Sequence, residues 1–534
     1  MFLHKNNDLP EELTDLTKFR NYLGTSEKEL SYLQKFPTKH YTLKPIPKRS
    51  GGTRLLEIPN DRLKYILRKI LRCLEEVYAP RQSVHGFTKG RGVISNAKCH
   101  IKRPFLLNID LKDFFGTITK KRVSGVLVSV GIPSEVATTI TELTVARDKL
   151  PQGAPTSPIL ANMVSFQLDI RLHRYAKENN MRYTRFADDM TFSSFVQPTK
   201  VFHDQKMKTG KLSEKDLSTS LRNVISGCGF KIHPSKIWFS DRKLRKQVTG
   251  LVVHQFPNIP RKFVRNLRAT LHKILKNGYD DCQKEFVEKY KSKSELRNVV
   301  RGRIEWIGQI KGRSDPVFRT LADKYNHLFP KYQVTVEPTY EELIGKAIWV
   351  IEWGDYEPKS KSGQGTAFFL ENVGLVTAHH VIEEMPKGSK AKVFLSNKIH
   401  EKYDAWISES FCDHVDVAKL NHNIPDNKFL ELPVSLGGYS KRDSITIFGF
   451  PSYHIGNEIS EIEATITSVS TISAVERISV TGILHQGISG GPALDTRSHV
   501  IGLVHKGGAD YPRQLITSIH EIKKVCAQTT EQEP

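Results

Sequence analysis

The chain has 534 residues, of which 38% are hydrophobic, and carries a formal net charge of +23. Its length predicts two to four domains with packed cores. No uninterrupted apolar run approaches about 18 residues, so no membrane span is expected. The six scattered cysteines form no Cys-x-x-Cys pair, which argues against a zinc site or a disulfide framework. With no apolar signal core after Met1, we expect a cytoplasmic protein.

The positive charge is concentrated in the first part of the chain. Residues 1–337 contain 62 Lys and Arg against 32 Asp and Glu, a net of +30. Residues 338–534 contain 18 against 25, a net of −7. A basic unit suits a polyphosphate partner such as nucleic acid. Charge alone is equally compatible with a lysine-rich solubilising surface.

The first part of the chain mixes helical and strand patterns. Short helical pieces are predicted within residues 10–45. Apolar spacing predicts a helix over residues 61–79, and an apolar run predicts a buried strand that ends at Asp110. Further along, the sequence predicts a helix over 158–179, a hairpin over 181–195, and basic helices over 261–277 and 284–312. This order indicates an α+β core followed by a helical unit.

From about residue 340 the pattern becomes β-rich, and turn residues separate short apolar runs. This texture predicts an all-β sandwich or barrel. The boundary is expected near residues 332–340. The predicted strands are 347–352, 366–370, 374–377, 392–395, 415–420, 444–450, 459–469 and 500–504.

Three acids stand in apolar surroundings. Asp188 and Asp189 are adjacent in the predicted hairpin, and Asp110 ends an apolar strand. Burying such acids together is unfavourable unless cations neutralise them, so the pattern indicates bound divalent metal. Metal, carboxylates and a basic surface favour phosphoryl transfer on nucleic acid. An isolated Asp-Asp pair is usually a solvated turn, so the neighbouring motifs decide whether this pair is read as catalytic.

Those motifs resemble known families of polymerases. Residues 109–115 (IDLKDFF), 151–158 (PQGAPTSP) and 186–189 (FADD) resemble the palm motifs of reverse transcriptases. Residues 96–100 (NAKCH) and 248–250 (VTG) resemble signatures of retron reverse transcriptases. The resemblance covers roughly residues 40–330. The chain has Phe186 where the family commonly has Tyr, which we expect to alter primer-end placement only slightly.

The resemblance implies roles for matching residues. Two Mg²⁺ ions would be bound by Asp110, Asp188, Asp189 and the backbone carbonyl of Leu111. The nucleotide pocket would contain Arg54, Phe115, Gln152, Gly153 and Lys236, with the Phe115 ring excluding a ribose 2′-hydroxyl. RNA would be contacted by Asn96, His100, Val248, Thr249, Gly250, Arg261, Arg265 and Arg268.

Alternatives remain for most of these residues. Phe115 could be a core aromatic, and Arg54 and Lys236 could be ordinary surface charges. Asn96 and His100 could form a local hydrogen-bonded turn. The arginines could belong to a solvated helix face.

A second constellation lies in the β-rich part. Its segments are 377–381 (TAHHV), 413–418 (DHVDVA) and 487–492 (GISGGP), in the order His, Asp, Ser. Over about residues 343–525 it resembles chymotrypsin-like serine peptidases. The resemblance implies His380 as general base, Asp416 as its orienting acid and Ser489 as nucleophile, with an oxyanion hole from the N–H groups of Gly487 and Ser489. His505 and Lys506 are candidates for lining the substrate pocket, and an inactive peptidase fold is the alternative.

The sequence therefore predicts a multidomain α+β protein: a right-hand polymerase followed by an all-β double-barrel domain. The predicted domains are fingers and palm 1–254, thumb 255–332, linker 333–342 and peptidase 343–534. By resemblance, the polymerase would copy a cognate structured non-coding RNA into branched RNA-linked DNA from deoxynucleotides. The peptidase would cleave an unknown protein in bacterial antiphage defence. Alternatives are a non-retron reverse transcriptase with a docking module, and a non-catalytic RNA-binding scaffold.

Overall fold

The computed structural model describes residues 9–47, 52–291, 294–354, 361–482, 484–506 and 514–527. It divides into two compact units. The first contains residues 1–312 and 320–334, and the second contains residues 313–319 and 335–534. None of the described helices is both long and apolar enough to cross a bilayer.

The first unit is built around a five-stranded antiparallel sheet. Its described strands are β1 Tyr41–Pro47, β2 Thr53–Pro59, β3 Phe105–Leu111, β4 Met181–Phe186, β5 Asp189–Ser194, β6 Gly210–Leu212, β7 Ile232–Ser240, β8 Gln247–Val248, β9 Leu251–Val253 and β10 Pro257–Asn258. The central sheet has the order β4-β5-β3-β7-β6. Smaller sheets are formed by β1-β2 and by β10-β9-β8.

Helices surround these strands. The α-helices are α1 Leu16–Leu23, α2 Glu27–Lys35, α3 Asp61–Val77, α4 Val93–Lys98, α5 Lys120–Ser129, α6 Ser134–Thr144, α7 Ser157–Val164, α8 Phe166–Glu178, α9 Thr219–Ser226, α10 Arg261–Asn277, α11 Tyr279–Tyr290, α12 Leu296–Lys311 and α13 Pro316–Leu328, the last beginning among residues that count with the second unit. Short 3-10 helices span Glu11–Leu13, Pro37–His40, Phe115–Thr117, Thr199–Val201, His203–Gln205, Glu214–Asp216 and Pro330–Tyr332.

Local sequence explains why the main elements form where they do. The side chain of Asn60 caps α3 by accepting the N–H of Leu63 at 2.9 Å. The apolar face of α3, at helical spacing, is buried. Strand β3 lies between β5 and β7 and is buried at six of its seven positions. A central strand covered on both faces is expected to be mainly apolar, and β3 is apolar up to Asp110 except at Asn108.

The second unit contains two closed six-stranded barrels. The described strands are β11 Ile348–Trp353, β12 Gly363–Leu370, β13 Gly374–Thr377, β14 Ala391–Phe394, β15 Tyr403–Cys412, β16 Val417–His422, β17 Ser444–Gly449, β18 Ser460–Ile472, β19 Val475–Val480, β20 Pro492–Asp495, β21 Val500–Lys506 and β22 Gln514–Ser518. The barrel orders are β11-β12-β13-β16-β15-β14 and β17-β18-β19-β22-β21-β20. Helices α14 Tyr340–Ala347, α15 His379–Ile382 and α16 Ile519–Ala527 accompany them.

The predicted fold class is confirmed, with differences in detail. The prediction of a single basic helix over 284–312 is wrong, because α11 ends at Tyr290, the next residue Lys291 has a left-handed φ of 49°, and α12 begins only at Leu296. Strands β15, β19, β20 and β22 were not predicted. Strand β19 reads Val-Glu-Arg-Ile-Ser-Val, so its apolar content is diluted by charge, and β20 has only four residues. Helix α14 begins inside the predicted linker.

Candidate active sites

The three acids meet where β3 lies beside the β4–β5 hairpin. Asp110 on β3 is directly opposite Asp189, the first residue of β5. Asp188 occupies the hairpin turn, and its carbonyl accepts the N–H of Leu111 at 3.0 Å. This register brings the three carboxylates, predicted from separate segments, into one cluster.

Mutual repulsion shows in the ionisation of this cluster. Asp189 keeps solvent-exposed surface, yet the protein atoms around it desolvate the carboxylate. This desolvation and the charges of Asp188 and Asp110 raise the pKa of Asp189 to about 7. Desolvation and Asp110 also raise the pKa of Asp188. Lys236 Nζ lies 2.9 Å from Asp110 Oδ2 and offsets part of the charge.

The residues present fit a divalent cation. The raised pKa values of Asp188 and Asp189 show that the negative charge of this cluster is only partly neutralised, and carboxylate oxygens are hard ligands of the kind that Mg²⁺ prefers. The candidate ligands are therefore Asp110, Asp188 and Asp189. Leu111 has a buried side chain, so only its carbonyl could serve, and that role stays a prediction.

A cavity of about 1180 Å³ opens beside Asp110 and Asp188. The five predicted nucleotide-binding residues all line it: Arg54, Phe115, Gln152, Gly153 and Lys236. Gly153 has a φ of 131°, and a Cβ there would lie 2.8 Å from the carbonyl oxygen of Glu57. Only glycine allows this close backbone approach. The backbone of Gln152 also accepts the N–H of Glu57 at 2.8 Å, which ties the pocket wall to β2.

In the second unit, His380 on α15 and Asp416 form a hydrogen-bonded pair. His380 Nδ1 lies 2.8 Å from Asp416 Oδ2, and the backbone N–H of His380 donates to Oδ1 at 2.8 Å. Burial opposes ionisation of Asp416, but hydrogen bonds from His380 and His505 outweigh it and hold the pKa of this carboxyl well below its usual range. The adjacent His379 instead stacks on Phe411, which separates the two neighbouring histidines.

Ser489 lies on the loop before β20 and shares a cavity of about 940 Å³ with His380 and Gly487. Gly487 has a φ of 95°, and a Cβ would lie 2.4 Å from the Phe450 carbonyl oxygen. Within the described parts of the chain, the N–H groups of Gly487 and Ser489 have no hydrogen-bond acceptor, as an oxyanion hole requires. Likewise, no bond between described atoms joins the Ser489 hydroxyl to His380, and such contacts often tighten only with substrate.

Comparison with protein families matches both units. The profile of reverse transcriptases (RNA-dependent DNA polymerases) matches residues 46–253. The profile of trypsin-like peptidase domains matches residues 365–503. The retron Ec86 reverse transcriptase of Escherichia coli is 32% identical over 335 residues, with 62% of this chain and 95% of that protein covered. The chain belongs to the retron reverse transcriptase family.

The matches to other relatives cover a smaller share of each relative's length. The retron Mx162 and Mx65 reverse transcriptases of Myxococcus xanthus are each 33% identical, and the chain spans 56% of each. Among solved structures, the active form of the Rv3671c protease from M. tuberculosis is 17% identical, with a TM-score of 0.30 over 38% of this chain and 94% of that one. The serine endoprotease from Yersinia pestis is 16% identical, with a TM-score of 0.30 over 37% and 69%. The peptidase fold is assigned from the two barrels and the family profile, not from these scores.

The two retron signatures lie against each other in this family member. Helix α4, which carries Asn96, packs on strands β8 and β9. The Thr249 hydroxyl donates to the Val93 carbonyl at 3.5 Å. Thr249 and Gly250 form the turn between those strands and retain exposed surface, so their contact with RNA remains a prediction.

The prediction that Asn96, His100 and Val248 contact RNA directly is wrong, because all three residues are fully buried. The local-turn alternative is also incomplete. Thr184 donates its only hydroxyl hydrogen to Asn96 Oδ1 at 2.6 Å, so His100 Nε2, 2.7 Å away, must donate to Thr184. His100 Nδ1 then accepts from Ser193 at 2.6 Å, and burial lowers the pKa of His100 to about 3. These residues brace the hairpin that carries Asp188 and Asp189.

The predicted arginines on α10, Arg261, Arg265 and Arg268, are exposed, while the opposite face buries Leu267, Leu271 and Ile274. They therefore remain available to a partner. The helix is amphipathic, and contact of its exposed arginines with RNA phosphates stays a prediction.

Sequence reasoning missed Arg185 as a structural residue of the polymerase site. This arginine has no exposed surface and donates to both carboxylate oxygens of Asp169, at 2.8 and 2.7 Å. It also donates to the carbonyl of Ala187 at 3.0 Å, and Ala187 has a φ of 56° immediately before Asp188. The available signal was the alternation of β4, because Arg185 shares a face of the strand with Met181 and Tyr183, where an apolar residue is expected.

Proposed function

We propose that the first unit is an RNA-directed DNA polymerase that copies a cognate structured RNA. The observation that carries this proposal is the convergence of Asp110, Asp188 and Asp189 beside a large cavity. Two Mg²⁺ ions held there would activate the attacking hydroxyl and stabilise the leaving oxygens. The family membership supports RNA as template and deoxynucleotides as substrates.

The surrounding residues receive roles in this proposal. Phe115 excludes a ribose 2′-hydroxyl, and Arg54 holds the triphosphate through its bidentate guanidinium. Gln152 and Gly153 form the pocket wall. Although burial opposes it, pairing with Asp110 raises the pKa of Lys236, so Lys236 keeps a proton that it can present to pyrophosphate.

The test compares nucleic acid that co-purifies with the wild type and with Asp188→Asn. We expect RNA-linked DNA only with the wild type, and incorporation of deoxynucleotides by the purified protein with its own RNA and magnesium. Asp204→Asn, at an exposed acid outside the cluster, is the matched control. Equal DNA in the wild type and Asp188→Asn would contradict the proposal.

We further propose that synthesis starts from a 2′-hydroxyl of an internal guanosine, which gives a branched RNA–DNA product. The retron family supports this priming. Mapping the junction tests it, since a 2′–5′ linkage resists ordinary ribonucleases but yields to a debranching enzyme. A primer extended from a 3′ end would instead favour another class of reverse transcriptase.

We propose that the second unit is a serine endopeptidase. His380 takes the proton of the Ser489 hydroxyl as Ser489 attacks the peptide carbonyl, then gives it to the leaving amine. Asp416 orients His380, and the N–H groups of Gly487 and Ser489 stabilise the oxyanion. The supporting observation is the His380–Asp416 pair in one cavity with Ser489.

A fluorophosphonate probe tests this second activity without a known substrate. We expect covalent labelling of the wild-type serine and none of Ser489→Ala. Asp416→Asn is expected to slow labelling by about 10³-fold or more, because the histidine loses its orienting acceptor. Labelling that persists in Ser489→Ala would exclude this nucleophile.

Finally, we propose that the peptidase is the effector of antiphage defence in the bacterial cytoplasm and that the RNA–DNA product restrains it. The fusion of two intact sites motivates this step, and the six free thiols suit a reducing compartment. Cells carrying Ser489→Ala are expected to lose protection against phage. Undiminished protection would exclude a proteolytic effector.

A further inference from the structure

The Asp416 carboxylate serves two histidines, although the proposed peptidase chemistry needs only one. His505 Nδ1 on β21 lies 2.5 Å from Asp416 Oδ2, the same oxygen that His380 Nδ1 contacts at 2.8 Å. An ionised carboxylate only accepts hydrogen bonds, so both Nδ1 atoms must carry hydrogen. Asp416 is 4% exposed, and its φ is 60°, so its orientation is tightly constrained.

The surroundings of His505 favour a neutral imidazole near pH 7. The charged and titratable groups that face it are Asp416, His380 on α15 and Arg477 on β19. Burial lowers the pKa of His505; Asp416 opposes this effect, while Arg477 and His380 reinforce it. Arg477 is itself held in place, since it donates to the His414 carbonyl at 3.3 Å and to Thr517.

We propose that His505 is a positioning residue of the peptidase site, which shares the Asp416 carboxylate with His380. The inference rests on the proposed peptidase function. His505 touches neither substrate nor Ser489 in this role and acts through Asp416 alone. Its N–H fixes the rotation of the carboxylate and draws electron density from the oxygen that stabilises protonated His380.

Two opposite effects should follow from loss of this donor. The carboxylate becomes more basic, so it stabilises protonated His380 more strongly and raises the pKa of His380. The carboxylate also gains rotational freedom, so His380 is less well oriented towards Ser489. His505→Ala removes the donor, whereas His505→Asn retains an N–H that can reach the same oxygen.

The contact itself can be observed without any activity. In the ¹⁵N-histidine-labelled full chain carrying Ser489→Ala, we expect two low-field imidazole N–H resonances, one from each Nδ1–H bound to Asp416. His505→Asn should remove one and keep the other. A single such resonance in the Ser489→Ala chain, or two resonances that both persist after His505→Asn is added to it, would overturn the proposal.

The pH dependence of Ser489 labelling by a neutral fluorophosphonate tests the role. We expect His505→Ala to label about tenfold more slowly at its plateau and to shift the acidic limb upward by about half a pH unit to one unit. His505→Asn should stay within about threefold of the wild type, and His520→Asn, an exposed histidine, should match it. A merely structural role would slow labelling without moving the limb. His505→Ala with the wild-type rate and limb would overturn the proposal. If the wild type does not react with the fluorophosphonate but the Ser489→Ala chain shows two low-field resonances, the peptidase function is refuted and the shared contact stands.

Discussion

At the scale of single residues, the polymerase site concentrates negative charge that Lys236 neutralises only in part. Asp189 illustrates this, because its neighbours raise its pKa to about 7. An acid with a folded-state pKa above its unfolded value holds its proton more tightly in the folded chain. Its contribution to stability is therefore lost as the pH rises from about 4 towards 7.

Replacing Asp189 with Asn should consequently stabilise the metal-free protein at pH 8. We expect a gain on the order of 1 kcal/mol, equivalent to about 2 °C in melting temperature, because water screens the exposed carboxylate. At pH 5 the gain should nearly vanish, since Asp189 is then mostly protonated. Calorimetry in EDTA at both pH values measures this difference. Equal melting temperatures of Asp189→Asn and the wild type at pH 8 would contradict it, and Asp204→Asn serves as the neutral comparison.

At the scale of elements, the β4–β5 turn is held from behind by a buried ion pair. Arg185 and Asp169 have side-chain exposures of 0% and 1%. The guanidinium also reaches Asn162 Oδ1 at 3.1 Å and the Ala187 carbonyl. The ion pair thus joins helix α8 to the turn that presents Asp188.

We predict that Asp169→Asn destabilises the protein by about 3–5 kcal/mol, because a buried guanidinium is left without its counter-charge. The double variant Arg185→Met, Asp169→Leu should recover most of the stability. It should still lose deoxynucleotide incorporation, because no donor then holds the Ala187 carbonyl. Urea unfolding and an incorporation assay separate the two effects.

The control is the exposed pair of Arg62 and Glu29, 2.6 Å apart, where Glu29→Gln should cost less than about 1 kcal/mol. Full polymerase activity in the double variant would show that the Ala187 carbonyl needs no such donor.

At the scale of the whole molecule, the two parts of the chain differ in net charge. The net charges of residues 1–337 and 338–534 are +30 and −7. Binding of a polyphosphate releases counterions, so affinity for RNA should fall steeply with salt. Labelling of Ser489 by a neutral probe involves no such release.

Neutralising Arg261, Arg265 and Arg268 together to Gln should lower the slope of log K against log salt by about 2 to 3 for the co-purifying RNA. Filter binding over a salt series from about 50 to about 300 mM measures this slope. The matched control neutralises three exposed cations of the second unit, Lys387, Lys441 and Arg442, and should leave the slope unchanged. An unchanged slope in the α10 variant would exclude this helix face from the RNA contact.

Much of the fold could be predicted because its signals are local. The apolar spacing of α3, the run that forms β3 and the hairpin around Asp188 depend on residues close together in the chain. Strands β15, β19, β20 and β22 escaped prediction because they are short or interrupted by polar residues, and barrel closure stabilises them.

The sequence by itself determined the residue types that carry chemistry: three acids in apolar segments, and a histidine, an aspartate and a serine in order. Only the tertiary structure decided which side chains meet. It buried Asn96 and His100 behind the hairpin and placed Arg185 against the backbone of the turn that presents Asp188. It also brought His505 to the far side of Asp416, 89 positions along the chain. Motifs are visible in sequence because they are contiguous, whereas burial and hydrogen-bond partnership depend on strand register and packing between residues far apart in the chain.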